Sequence, residues 1–208
     1  MTQANATLGK EMEECDVTAG VSVIKTGDST PVTAADFAIQ GLVAASMKKH
    51  FPNDRFMGEE DAGTLREDRD LCNLAMGLAA KYGGPGNTVG AHRDDFLEVV
   101  DTGLEPNRGK GERVWVLDPI DGTKGFMTGQ GYVIGLALLV DGEPVVGVMG
   151  VPNHETPPIM VAVKGQGLRY WPAEGDGPLS YEAPRPEWAK KGWTPPFSGG
   201  EAGAHHPP

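Results

Sequence analysis

The chain has 208 residues, 39% hydrophobic and 23% charged, enough for one sizeable core with an appendage. Its formal charge of −11 excludes a general basic surface for a nucleic-acid polymer, and no apolar run reaches the ~18 residues of a membrane span. Cys15 and Cys72 give neither a disulfide framework nor a cysteine-rich zinc site. The polar, acidic start carries no signal-peptide pattern, so the cytoplasm is the expected compartment, with an organelle left open.

Residues 1–24 read as an N-terminal segment: a short polar helix, then the apolar 21–24. After a loop over 25–30, residues 31–36 open a helix with Thr33 as N-cap and Asp36 at the third helical position. Phe37, Val43 and Met47, with Ile39 and Leu42 nearby, give it an apolar side up to His50, and Pro52-Asn53-Asp54 breaks it. Arg55-Phe56-Met57 is a short strand leading into Gly58-Glu59-Glu60-Asp61. Leu71, Leu74, Ala75, Leu78, Ala79 and Tyr82 recur at three and four, the pattern of an amphipathic helix, which Gly83-Gly84-Pro85-Gly86 stops. Residues 94–102 form another short helix, followed by a glycine- and charge-rich loop over 103–112.

The run 114–117 is an apolar strand that delivers Asp118 to its carboxyl end; Pro119 and Ile120 then turn the chain, and Asp121 follows. Next comes a hairpin: 132–140 is β-rich, Asp141-Gly142 is a tight turn, and 144–151 returns. Residues 159–163 and 168–171 make a further strand pair around 164–167. From Pro172 on, proline, glycine, glutamate and alanine predominate, the composition of a disordered tail. The expected organisation is thus 1–24, a domain over 25–171, and a tail over 172–208.

Asp118 and Asp121 in one tight turn make a hard-cation site, because carboxylate oxygens suit Mg²⁺. The backbone N–H groups of Gly122 and Thr123 beside them suit a phosphate. Together they imply metal-assisted hydrolysis of a phosphate ester. Asp36 alone would be a capping carboxylate, and Gly58 to Asp61 alone a solvated loop; the three acidic sites in this order point to one shared site. His50, His92 and His154 lack ligand spacing and read as surface residues. Met127, Met149 and Met160 read as packing, and Gly165-Gln166-Gly167 as a turn. Among Arg66, Arg69, Arg93 and Arg113 the sequence does not choose a partner for a second phosphate.

Trp115 to Phe126 carries the pattern WxxDPxDGTxxF, and Gly58 to Glu60 a GEE element. In these the chain resembles the inositol monophosphatase superfamily of Mg²⁺-dependent, lithium-sensitive phosphatases. Thr30-Pro31-Val32-Thr33-Ala34-Ala35-Asp36, Phe51-Pro52 before the GEE element, Lys124-Gly125, and Val151-Pro152-Asn153 after the hairpin place the likeness nearest the 3′(2′),5′-bisphosphate nucleotidase branch. The likeness runs from about Lys25 to about Leu168.

The resemblance implies an α+β fold, a layered α/β sandwich with a mainly antiparallel sheet flanked by helices. It implies that Glu59, Asp118 and the Ile120 carbonyl hold a first Mg²⁺ and that Asp118 and Asp121 share a second. Asp36 and Thr123 would orient and deprotonate the attacking water, and the Gly122 and Thr123 N–H groups would grip the phosphate. The implied substrate is adenosine 3′,5′-bisphosphate, giving AMP and phosphate; an inositol phosphate is the alternative, and a non-catalytic metal- or phosphate-binding product the reading from another class. The resemblance further implies a second domain carrying a tryptophan–aspartate motif, and nothing after Leu168 matches it. The expectations are therefore a truncated second domain, a shortened first helix, a weakened second metal site with impaired activity, and self-association through an exposed apolar face. No membrane or nucleic-acid polymer is expected as partner.

Overall fold

The computed structural model describes residues 22–24, 31–102, 111–152 and 159–172. Along them the chain forms β1 (Ser22–Ile24), β2 (Pro31–Thr33), α1 (Ala34–His50), β3 (Arg55–Gly58), α2 (Gly63–Glu67), α3 (Arg69–Tyr82) and α4 (Arg93–Val100). It continues through β4 (Arg113–Asp121), α5 (Thr123–Met127), β5 (Val133–Val140), β6 (Glu143–Gly150), β7 (Ile159–Val163) and β8 (Gly167–Trp171). The helix expected before residue 21, Asn153, His154 and the tail after Pro172 lie outside the described residues.

Strands β3 to β8 make one sheet in sequence order, while β1 and β2 pair separately and antiparallel. Among the described strands only β3 and β4 run parallel. A parallel pair needs a long crossover, and α2, α3 and α4 occupy it. The β5–β6 hairpin closes at Asp141 and Gly142, both left-handed with φ of 52° and 81°, as a two-residue turn matched to strand twist requires.

Helix α1 is the middle layer. Ala44 and Met47 pack with Phe56, Trp115, Leu117 and Leu138 of the sheet. Phe37 and Ala38 pack with Leu71, Cys72, Ala75 and Ala79 of α3 and with Phe96, Leu97 and Val100 of α4. Burial on two sides explains why the apolar residues of α1 do not fall into one stripe. Gly41 lets α4 approach, since a Cβ there would meet the Phe96 ring at 2.8 Å. Fully burying Phe37 and Phe96 contributes about 1.5–3 kcal/mol each.

On the sheet face away from α1, Met57, Val116, Ala137, Gly147, Ala162 and Leu168 stand in one cross-strand row. Met57 is 43% and Leu168 50% exposed, with Met149 on the same face at 44%. Among the described residues this sheet face is thus apolar and partly open.

One local expectation changes. The chain does not turn at Pro119-Ile120: β4 continues to Asp121, with both residues buried. Asp118 stands opposite Gly135 and Asp121 opposite Val133, so β4 carries one extra residue, a bulge. Pro119 has no N–H to give to the ladder, which interrupts pairing without reversing the chain. The five-residue helices α2 and α5, each too short for an apolar period, form where the sequence reading assigned no element.

Candidate active site

Thr33 caps α1 and Asp36 closes the capping box. The Thr33 hydroxyl oxygen accepts from Ala35 N–H at 3.2 Å, while Asp36 Oδ2 accepts from Thr33 N–H at 2.8 Å and from the Thr33 hydroxyl at 2.6 Å. Asp36 is only 2% exposed. Burial raises its pKa above the usual carboxylate range; the Thr33 bonds oppose the rise, and the charge of Glu59 adds to it. The bland capping role is thus real, and Glu59 is also within electrostatic range.

Strand β3 brings Glu59 to the same level. Its N–H donates to Leu117 O at 3.0 Å, one ladder bond beyond β3, so Glu59 lies beside the residue preceding Asp118. Asp118 feels this proximity: burial first, then the charge of Glu59 and a hydrogen bond with it, push its pKa up to about 7, and Asp121 and Asp36 add further repulsion. Asp118 Oδ1 is buried without a hydrogen-bond partner. Asp121, past the bulge, is exposed.

The turn after β4 is fixed from within. Gly122 has φ of 92°, which favours glycine, and starts α5. The Thr123 hydroxyl donates to Ile120 O at 3.1 Å, while the Ile120 side chain packs with Ala35 and Tyr132. Gln130 N–H donates to Gly125 O at 2.7 Å, and a Cβ on Gly125 would meet Gly131 O at 2.5 Å, so only glycine admits this close return. Phe126 meets Tyr132 edge-on at 5.0 Å between ring centroids.

The structure therefore gathers Glu59 and Asp118 directly, with Asp121 and Asp36 acting on Asp118 through their charge. It does not join Asp36 to Thr123; each has another partner. Among the described residues no three acidic, histidine or cysteine side chains converge as a ready ion cage. Mg²⁺ does not require one, since it is commonly held by one or two carboxylates plus water and substrate oxygens. An all-carboxylate donor set and an unpartnered buried carboxylate oxygen at Asp118 fit such a cation.

Sequence reasoning passed over Gln40 and Asp101. Gln40 is fully buried; its Nε2 donates to Glu60 O at 2.5 Å and Val100 O at 2.8 Å, and its Oε1 accepts from Glu60 N–H at 3.0 Å. Asp101 accepts from Ala62 N–H at 2.7 Å and pairs with Arg66. The available signal for Gln40 was an amide four residues after Asp36 in an apolar helix. Three of the open arginines now have partners: Arg66 pairs with Asp101, Arg113 pairs with Asp54, and Arg93 donates to Leu65 O at 3.1 Å. Arg113 also stands at the opposite end of β4 from Asp121. His50 and His92 are exposed, as expected.

A model described as the inositol monophosphatase family matches residues 2–184, reaching beyond the likeness read from motifs at both ends. A 3′(2′),5′-bisphosphate nucleotidase of Schizosaccharomyces pombe is 40% identical over 157 residues, covering 67% of this chain and 44% of that protein. The 3′(2′),5′-bisphosphate nucleotidase 1 of Candida albicans is 36% identical over 199 residues, covering 85% of this chain and 54% of that protein. The chain thus spans about half the length of the curated relatives it matches. Of solved structures, the Thermotoga maritima IMPase aligns over 80% of this chain and 48% of its own, with 22% identity and a TM-score of 0.47. This chain belongs to the inositol monophosphatase family.

Proposed function

We propose that the chain provides the cation- and phosphate-binding part of a phosphoric monoester hydrolase, acting on adenosine 3′,5′-bisphosphate to give AMP and phosphate. The observation that carries the chemistry is the buried, unpartnered Asp118 Oδ1 beside Glu59, with Asp121 and Asp36 in electrostatic range. The nucleotide rests on the names of the relatives and on the Thr30 to Asp36 and Lys124-Gly125 elements.

In this reading Glu59, Asp118 and the Ile120 carbonyl would hold one Mg²⁺, and Asp118 with Asp121 would hold a second, weaker one. Such cations acidify a water and offset phosphoryl charge. Thr123, its hydroxyl hydrogen committed to Ile120 O, presents its lone pairs to the attacking water. Asp36 takes that water's proton, a task its burial favours by raising its proton affinity. Gly122 and Thr123 offer N–H groups to the phosphate. The substrate is a small phosphorylated molecule, since a charge of −11 repels a polyanion. No described helix is long and apolar enough to cross a membrane. The cytoplasm is the proposed compartment.

Phosphate release with Mg²⁺, measured side by side on adenosine 3′,5′-bisphosphate and an inositol phosphate, tests this. Release from the nucleotide that disappears in Asp118→Ala is expected. Turnover of inositol phosphate with an inert nucleotide would replace the substrate, and equal release by the variant would assign it to a contaminant. A second reading is a metal- or phosphate-binding protein without turnover. Mg²⁺ uptake with no release from either substrate would establish it.

A further inference from the structure

Glu59 must stay close to Asp118 although the two carboxylates repel. On its N-terminal side Glu59 is held by its N–H bond to Leu117 O. Beyond it the chain has left the sheet, and the fastening changes hands. The Gln40 amide, fully buried in α1, takes both the N–H and the C=O of Glu60 and ties them to Val100 O at the end of α4. Asp101, the next residue, takes Ala62 N–H. The stretch 59–62 is thus bound in turn by β4, α1 and the end of α4.

Gly58 belongs to the same device. A Cβ there would meet the Gln40 side-chain amide at 2.2–2.6 Å, so the glycine of the GEE element is needed for the amide to lie against the backbone. A buried amide with three hydrogen bonds also holds one orientation, because any other leaves polar groups unpaired.

We infer that Gln40 is a positioning residue of the cation site, its amide locking the backbone at Glu60 and so holding the Glu59 carboxylate at Asp118. This rests on the proposed metal-binding reading. Removing an outer partner of a metal ligand typically costs 10–100-fold in metal affinity. Gln40→Met keeps length and apolar packing but removes every bond; Gly58→Ala keeps the amide and displaces it.

The experiment is Mg²⁺ titration of the full chain by calorimetry, with metal-free melting recorded for each protein. Met47→Ala, at the far end of α1, serves as a variant destabilised without touching the 58–60 backbone. The expected result is wild-type Mg²⁺ affinity in Met47→Ala and a loss of about tenfold or more in both Gln40→Met and Gly58→Ala. Unchanged affinity in the folded Gln40→Met and Gly58→Ala proteins overturns the inference alone. An equal loss in Met47→Ala overturns it too, because affinity would then follow stability. Absence of Mg²⁺ uptake by the wild type overturns the metal reading itself.

Discussion

Asp118 illustrates how one side chain can make stability depend on both protons and metal. In the metal-free protein its pKa stands at about 7, against ~3.9 for an unperturbed aspartate. The folded state therefore binds the proton more tightly than the unfolded one. The resulting stabilisation is fully present below pH ~4 and is lost as pH rises through about 7. A cation that replaces the proton reverses this loss, so Mg²⁺ should raise the melting temperature more at pH 8 than at pH 5.5. Equal shifts at the two pH values would show that Asp118 is not at the cation site. Thr33 gives a separate handle. Thr33→Ala removes the N-cap and one Asp36 bond, with an expected loss of about 1 kcal/mol in urea unfolding. Phosphate release should fall with it if Asp36 takes the water's proton.

At the scale of elements, the short helix α5 depends on a contact that only glycine permits. Gly125→Ala would place a methyl group 2.5 Å from Gly131 O and push α5 away from the 128–131 return. The expected result is loss of phosphate release with most of the global stability retained, because α5 contributes no fully buried residue. Full activity in this variant would show that α5 does not set the phosphate loop. The same element marks where sequence reading stops. Helices α1 and α3 and the β5–β6 hairpin were legible, because a cap, a three–four period and an Asp-Gly turn are local signals. A five-residue helix has no period to read. The bulge in β4 was equally hidden, since it arises from register against β5 rather than from Pro119 by itself. The acidic residues proposed as ligands were picked out by their motifs, and their roles by the family resemblance. Their support by Gln40 was not, because its partners Glu60 and Val100 come from distant parts of the chain.

For the whole molecule, the open face bearing Met57, Met149 and Leu168 is the main liability. Contiguous apolar surface favours association. Dimers or larger species are expected by light scattering at tens of micromolar, and a clean monomer counts against that expectation. Replacing Leu168, half exposed near the β8 edge, with Lys should shift the distribution toward monomer without lowering the melting temperature appreciably.

The parallel pairing of β3 with β4 carries a consequence for how the chain folds. Glu59 directly follows β3 and Asp118 lies in the adjacent β4, yet everything from α2 to α4 lies between them in sequence. Closing that loop costs entropy before the pairing returns any contact energy, which slows folding. The hairpin strands β5 to β8 face no such delay, as each pairs with its sequence neighbour. The acidic pair is therefore expected to assemble late, after the local hairpin strands have paired. Added early in refolding, Mg²⁺ would find no site, and its uptake would time the final docking of β3 onto β4.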